Sequence, residues 1–391
     1  MDTIKIAVIG VGNIGSAHAR HIADGKVSGL KLAALCDTNP KRRELLEQEY
    51  PGIPVYCNHK ELLESQKTEA VIVATPHYFH PIIAVDSFEA GQHVLIEKPA
   101  GVYTSMVCKM NEAAKRSGKI FGIMFNQRTD PLFIKAREIV KSGQLGSLKR
   151  LVWIVTNWYR TQAYYDSGAW RATWNGEGGG VLINQAPHNL DLWQWIFGMP
   201  KRLRAFCSVG KYHHIAVEDD ATIYAEYENG AVSTFITTTG EAPGTNRLEI
   251  SGDLGKLVLE DGKLHWWKLS VPERQFCFTS KEDFYQPSLE KKEYVMPAPE
   301  EHHVILKNFA DAILNHAPLL APGEEGINSL SLSNAAYLST WTDDWVEFPF
   351  DEKKFEEELK KRCQAEQIAV KPDIEKAHFL EHYQERWNVR W

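Results

Sequence analysis

Along the first 125 residues, short apolar runs alternate with longer segments in which apolar positions recur at helical spacing. Ile4–Ile9, Leu30–Cys36, Ala70–Ala74, His93–Ile96 and Ile120–Met124 are the runs, and near-continuous apolarity is what a strand covered on both faces requires. Between them the spacing predicts helices at Asn13–Asp24 before Gly25, at Lys41–Gln48 after Pro40, and at Tyr78–Ala90 before Gly91. Asn58 and Glu61 have capping-box spacing for a short helix through Leu63, and Thr104 or Ser105 would cap a helix to Ser117, stopped by Gly118. Strands alternating with helices predict a parallel sheet, because parallel neighbours need a crossover connection.

After about residue 150 the texture changes. Leu151–Thr156, Leu203–Val209, Ala221–Tyr227, Ala231–Thr238 and Arg247–Ser251 read as strands joined by tight turns such as Glu228-Asn229-Gly230. Helical spacing returns at Val304–Leu314 and Ser329–Trp341, so an α/β part is followed by an α+β part. The last stretch mixes both charge signs around Phe355, Leu359, Phe379, Tyr383 and Trp387, which suggests amphipathic helices packed on the body or on a sister subunit.

Length and charge narrow the partner. A chain of 391 residues fits two or three domains, and 43% hydrophobic residues with abundant aromatics supply a sizeable core. A net charge of −7 gives no basic footprint for nucleic acid or an anionic membrane, which leaves a small molecule. There is no apolar run long enough to span a bilayer, and the N-terminal apolar stretch, with Asp2 and Lys5, lacks the features of a signal peptide, so a cytoplasmic location is expected. The six cysteines lie too far apart for a zinc site or a disulfide framework, so packed, reduced thiols and no metal are expected.

Gly10-Val11-Gly12-Asn13-Ile14-Gly15 is a G-x-G-x-x-G that follows a predicted strand and opens a predicted helix. In that setting Gly10 permits the tight turn, Gly12 lets backbone approach a pyrophosphate, and Gly15 lets the helix pack closely. Asp37 ends the second strand, where a carboxylate accepts from both ribose hydroxyls of an adenosine and repels a 2′-phosphate. NAD is therefore expected rather than NADP, with the nearby Lys41, Arg42 and Arg43 facing solvent.

Several motifs together carry a resemblance. They are Gly10 to Gly15, Ala74-Thr75-Pro76-His77-Tyr78-Phe79-His80, Glu97-Lys98-Pro99, Asn126-Gln127-Arg128, and Gly178-Gly179-Gly180 through His188 and Asp191. In order and spacing the chain resembles the Gfo/Idh/MocA family of nicotinamide-dependent sugar and cyclitol oxidoreductases over most of residues 4–345. The resemblance implies an α/β Rossmann domain, here 1–125, and a substrate and oligomerisation domain, here 126–350. The latter would be α+β, built on a large open, mainly antiparallel sheet that forms a homo-oligomer, dimer or tetramer. Residues 351–391 would be a helical extension.

The resemblance also assigns residues. NAD would be held by Gly10, Gly12, Asn13, Ile14, Gly15, Asp37, Thr75, Pro76, His80, Glu97, Lys98 and Asn126. Lys98 would contact the reacting hydroxyl, where a cation stabilises charge developing on oxygen, and His188 would be the acid/base. Following Pro187 in the first turn of a helix, His188 feels the positive dipole end, which keeps a neutral base available. Glu97 would orient Lys98 or the cofactor, or pair with a surface charge. The chain departs from the family at Asn184, where relatives carry Asp. An amide cannot take a proton, so either His188 works alone or Asp191 pairs with it, unless Asp191 is an ordinary surface carboxylate.

Residues 153–174 hold seven aromatics, Trp153, Trp158, Tyr159, Tyr164, Tyr165, Trp170 and Trp174, interleaved with Arg160 and Arg171. Ring faces that stack on sugar C–H groups, mixed with hydrogen-bonding side chains, suit a polar ring ligand; about half of these rings are expected to be plain packing. Tyr159, Arg160, Trp170, Arg171, Asn184 and His188 are the candidate substrate residues. The expected activity is oxidation of a secondary hydroxyl of a sugar or glycoside to a ketone, specifically at the sugar 3-position. Inositol oxidation is the runner-up. An NAD-dependent glycosidase using transient oxidation and a non-enzymatic NAD or sugar sensor are the rivals, the last disfavoured by the presence of both Lys98 and His188.

Overall fold

A computed structural model of the chain describes residues 3–297 and 301–366; Phe379, Tyr383 and Trp387 lie outside them. The chain divides into two compact units. The first takes the chain to Thr129 together with residues 176–178 and 300–331; the second takes residues 130–175, 179–299 and the chain from Leu332. Neither unit is continuous, which differs from the simple boundaries after residues 125 and 350 suggested by the sequence.

In the first unit, β1 (Ile4–Ile9), α1 (Asn13–Ala23), β2 (Leu30–Cys36), α2 (Pro40–Glu49), β3 (Val55–Tyr56), α3 (His59–Glu64), β4 (Ala70–Val73), α4 (Phe79–Glu89), β5 (His93–Ile96), α5 (Thr104–Ser117) and β6 (Phe121–Ile123) alternate. The strands form one parallel sheet in the order β3-β2-β1-β4-β5-β6. Strand order reverses beside β1, and open α/β sheets bind ligands at the carboxyl ends of such a switch point. Ile6, Val8, Val71, Ile72 and Leu95 are fully buried, the physical reason these runs show no polar alternation. Asn58 caps α3 as its spacing predicts, its Oδ1 accepting the Glu61 N–H at 2.9 Å. The expected Thr104 or Ser105 cap of α5 is not formed. Tyr103 takes the extended cap conformation, so Thr104 is already helical.

The second unit contains α6 (Pro131–Lys141), β7 (Leu148–Val155), α7 (Gln162–Asp166), α8 (Pro187–Phe197), β8 (Arg202–Val209), β9 (Glu218–Glu226), β10 (Val232–Thr238), β11 (Asn246–Gly252), β12 (Gly255–Glu260), β13 (Lys263–Leu269), α9 (Glu273–Thr279) and β14 (Leu289–Val295). After α10 (Glu301–Asn315), which belongs to the first unit, come α11 (Gly326–Thr342), β15 (Val346–Glu347) and α12 (Glu352–Ala365). The nine-stranded sheet runs β14-β13-β12-β11-β7-β10-β9-β8-β15, antiparallel except where β10 pairs with β7. Leu151, Trp153, Val155 and Phe235 are buried, while Val152, Ile154 and Ile236 between them are only half-buried. One face is thus packed, with Phe133 of α6 against Trp153 and Trp193 of α8 stacked on Phe235 at 5.6 Å. The α12 segment packs on this unit through fully buried Phe355 and Leu359. All six cysteines are free; Cys57 and Cys277 are exposed, so the expectation that every thiol is packed does not hold.

Residues 300–331 join the first unit because they close its sheet. The Ile123 N–H donates to the Ala321 carbonyl at 3.1 Å, Gly122 bridges to Pro322, and the Phe121 ring sits where Gly323 would carry a Cβ.

Candidate functional site

The turn after β1 is shaped by what its glycines exclude. Gly10 has φ +86°, and a Cβ there would lie 2.7 Å from the Ala74 carbonyl oxygen. At Gly15 a Cβ would lie 2.0 Å from the Gly10 oxygen, so helix α1 is seated directly on the turn. At Gly12 a Cβ would meet nothing within 4 Å, and no side chain caps α1, whose first residues are Asn13 and Ile14. This leaves an open approach to the helix N-terminus, where amide donors and the dipole favour an anion. Thr75, beside the turn and next to Pro76, has a buried hydroxyl without a hydrogen-bond partner among the described residues. The donors and the open space fit the pyrophosphate of a dinucleotide.

Asp37 stands at the end of β2. Its Oδ2 accepts the Val11 N–H and its Oδ1 the Asn39 N–H, both at 2.9 Å, which orients the carboxylate while leaving lone pairs for ribose hydroxyls. The expectation that the neighbouring cations face solvent holds for Lys41 but not for the two arginines. Arg42 Nε donates to the Val11 carbonyl at 2.7 Å and its Nη2 to Ser16, while Arg43 Nη1 donates to the Asp37 and Thr38 carbonyls. Carbonyls of the turn and strand end attract the guanidinium forks inward.

Lys98 is half-buried just beyond β5. Glu97 before it is buried, which overturns the surface-pair alternative, and its Oε1 lies 2.7 Å from His18 Nε2. Burial alone would raise the Glu97 carboxyl; the hydrogen bond and charge of His18, then His302 and Lys98, outweigh it and hold the group down at about 2. His80 is fully buried with Nδ1 on the Pro99 carbonyl at 2.8 Å and Nε2 on the Thr75 carbonyl at 2.7 Å. Both ring nitrogens face backbone carbonyls, so His80 packs between the loops that carry Thr75 and Lys98. Asn126 is buried in a 3-10 turn after β6.

In the second unit, α8 begins at Pro187 and ends before Gly198 as the sequence indicates, with His188 buried in its first turn. Asp191 is fully buried and accepts from Gln194 Nε2 at 3.0 Å, so the surface-carboxylate alternative fails. The Tyr164 hydroxyl gathers Arg171 Nη1 at 2.6 Å, Gln185 Nε2 at 3.1 Å and Asn184 Nδ2 at 3.3 Å. The Arg171 guanidinium also lies over the rings of Tyr164 and Trp170, at 4.5 and 4.6 Å. Of the seven aromatics, Trp153, Trp158, Tyr165 and Trp174 are buried packing residues. Tyr159 is exposed, and Arg160 turns onto the Trp158 and Tyr159 carbonyls.

Sequence reasoning missed the carboxylate that holds this region. Glu218, fully buried, accepts the Gly180 N–H at 2.8 Å, the Leu182 N–H at 2.9 Å and the Tyr337 hydroxyl at 2.7 Å. Burial pushes its carboxyl up to about 7, these donors and its own backbone N–H pulling back part of the way. A Cβ at Gly179 would meet the Tyr337 hydroxyl at 2.2 Å and one at Gly180 the Glu218 carbonyl at 1.9 Å, so this anchor explains two of the three consecutive glycines. Gly178, with φ +84°, is restricted by Val102 within the first unit.

Residues 4–125 match an oxidoreductase family with an NAD-binding Rossmann fold, and residues 133–258 match the GFO/IDH/MocA C-terminal domain. The chain belongs to the GFO/IDH/MocA oxidoreductase family. As a member it is an NAD-binding oxidoreductase of the sugar and polyol dehydrogenase kind. It is 25% identical over 363 residues to the scyllo-inositol 2-dehydrogenase (NADP(+)) of Bacillus subtilis, covering 87% of this chain and 94% of that one. It is 31% identical over 163 residues to the 1-carboxy-3-chloro-3,4-dihydroxycyclohexa-1,5-diene dehydrogenase of Comamonas testosteroni, a match spanning 42% of this chain and only 40% of the relative. The WlbA dehydrogenase of Chromobacterium violaceum, solved with NADH and UDP-GlcNAcA, shares the fold at a TM-score of 0.76 and 24% identity, over 90% of this chain and 97% of that one.

Proposed function

We propose that this protein oxidises a secondary ring hydroxyl of a sugar or glycoside to the ketone, with NAD as its dinucleotide. The observation that carries the reading is the carboxyl edge of the parallel sheet, where the open glycine turn after β1 and the half-buried Lys98 after β5 stand on one scaffold with only β4 between their strands. When bound, NAD supplies the ring carbon that accepts the hydride. The chain's own groups do the rest. The turn and the start of α1 hold the pyrophosphate, and Asp37 accepts the ribose hydroxyls. That anionic, anchored carboxylate is the reason for preferring NAD to NADP. Lys98 stabilises the substrate oxygen as its proton leaves, and His188 takes that proton. Tyr164, Arg171, Asn184 and Gln185 supply hydrogen bonds to further hydroxyls, with Asn184 binding and not relaying a proton.

Trp170 offers a ring face beside this polar group and Tyr159 an exposed ring, and they favour a glycoside, with the 3-position as the specific choice. A free cyclitol is the second reading, supported by the activities in the names of both sequence relatives, which are ring alcohols. The apolar, half-buried residues Val152, Ile154 and Ile236 on the open sheet face support a homo-oligomer, which sedimentation would detect. The direct test is absorbance at 340 nm with NAD or NADP against methyl glucosides, glucose, myo-inositol and scyllo-inositol. NADH accumulating in step with a ketone is expected. Bond cleavage without NADH would instead indicate a glycosidase, and no turnover with any of them would remove the reading.

A further inference from the structure

One buried contact beneath Lys98 has no part in the chemistry above. His18 lies on α1, six residues past Gly12, and is completely buried; Glu97 is 5% exposed. They are 79 residues apart in the chain and meet at 2.7 Å. The other Glu97 oxygen, Oε2, accepts the backbone N–H of Lys98 at 3.2 Å. His302 of α10 adds a second ring to the group, its centroid 5.8 Å from that of His18. Burial holds His302 down at about 4, so near pH 7 it is a neutral wall.

We propose that His18 is a positioning residue for Lys98, acting through Glu97. The carboxylate has one oxygen on the His18 ring and one on the Lys98 amide, so its orientation sets the backbone from which the lysine side chain departs. A buried carboxylate deprived of its ring partner either takes up a proton, which weakens its hold on the Lys98 amide, or turns toward another donor, which releases it. The glycine turn does not depend on this contact, because α1 is seated by the close approach of Gly15 to the Gly10 carbonyl. Loss of His18 should therefore disturb the lysine while sparing dinucleotide binding.

The inference rests on the role given to Lys98 above, and the test separates the two. In His18→Leu, turnover on the best polyol of the panel should fall at least ~10-fold at saturating NAD, while the NADH Kd from fluorescence titration stays within about 3-fold. His18→Gln, whose amide N–H still donates to Glu97, should recover most of the turnover. If His18→Leu does not fold, His18→Asn, too short to reach Glu97, takes its place with the same expectations. Normal turnover in the short or apolar variant overturns the inference, as does an equal loss in His18→Gln, which would mean packing alone. Undiminished turnover in Lys98→Ala overturns the functional reading instead.

Discussion

Glu97 in the first unit and Glu218 in the second are both buried and hold loops in place, yet their surroundings differ in kind. Around Glu97 stand a histidine it touches, a second histidine and a lysine, and the carboxyl is held down at about 2. Among the described residues the donors to Glu218 are neutral, backbone amides and a tyrosine hydroxyl, and burial carries it up to about 7. Hydrogen bonds from neutral groups orient a carboxylate but offset less of its desolvation than a cation does. The first anchor is thus fixed by charge and the second by geometry, which is why glycines crowd the second.

The sharpest test of the comparison is catalytic. Lys98→Ala and His188→Ala should each lower turnover at least ~100-fold with the fold retained, the range for lost electrostatic or acid–base help. Next in size is Gly180→Ala, which forces a methyl against the Glu218 carbonyl and should cost about 3 kcal/mol or more in denaturant unfolding. Gly12→Ala, with open space around it, should leave unfolding nearly unchanged and weaken NADH binding instead.

The pH dependence separates the anchors by sign. As pH falls from the usual 4.5 toward 2, the unfolded chain protonates Glu97 before the folded protein does, so this contribution to stability is lost. Glu218 runs the other way: the folded protein holds the proton first, so stability declines as pH rises from 4.5 to about 7. Melting curves across this range should show Glu97→Gln flattening the acid limb and Glu218→Gln removing the decline toward neutrality. The smallest effects belong to the helix caps. Asn58→Ala in the first unit and Asp351→Ala in the second should each cost about 1 kcal/mol, read as small midpoint shifts.

The parallel sheet and α8 were legible because their signals are local: uninterrupted apolar runs, a glycine turn, Pro187 and Gly198 at the two ends of one helix. Strand β3, two residues long, is too short to carry a period. Strand β14 has mostly exposed side chains, with charges at Glu290, Lys291, Lys292 and Glu293, and no apolar face to announce it. At the site, motif spacing pointed to the glycine turn and to Lys98 and His188. The long-range ties in the two units did not show. His18 meets Glu97 across 79 residues and Glu218 meets Tyr337 across 119, and neither pair has a spacing that a linear pattern could reveal. Glu218 also stands before Asp219 and Asp220, where it looks like one more surface acid.

Because residues 321–323 finish the edge of the parallel sheet, the nucleotide-binding half cannot be obtained by cutting the gene after residue 129. Such a fragment would keep its glycine turn but bare the β6 rim and the Phe121 ring, an invitation to aggregate. A split version with the 300–331 stretch supplied as a separate peptide restores the missing border, and solubility on mixing would then report the reunion of two distant parts of one chain.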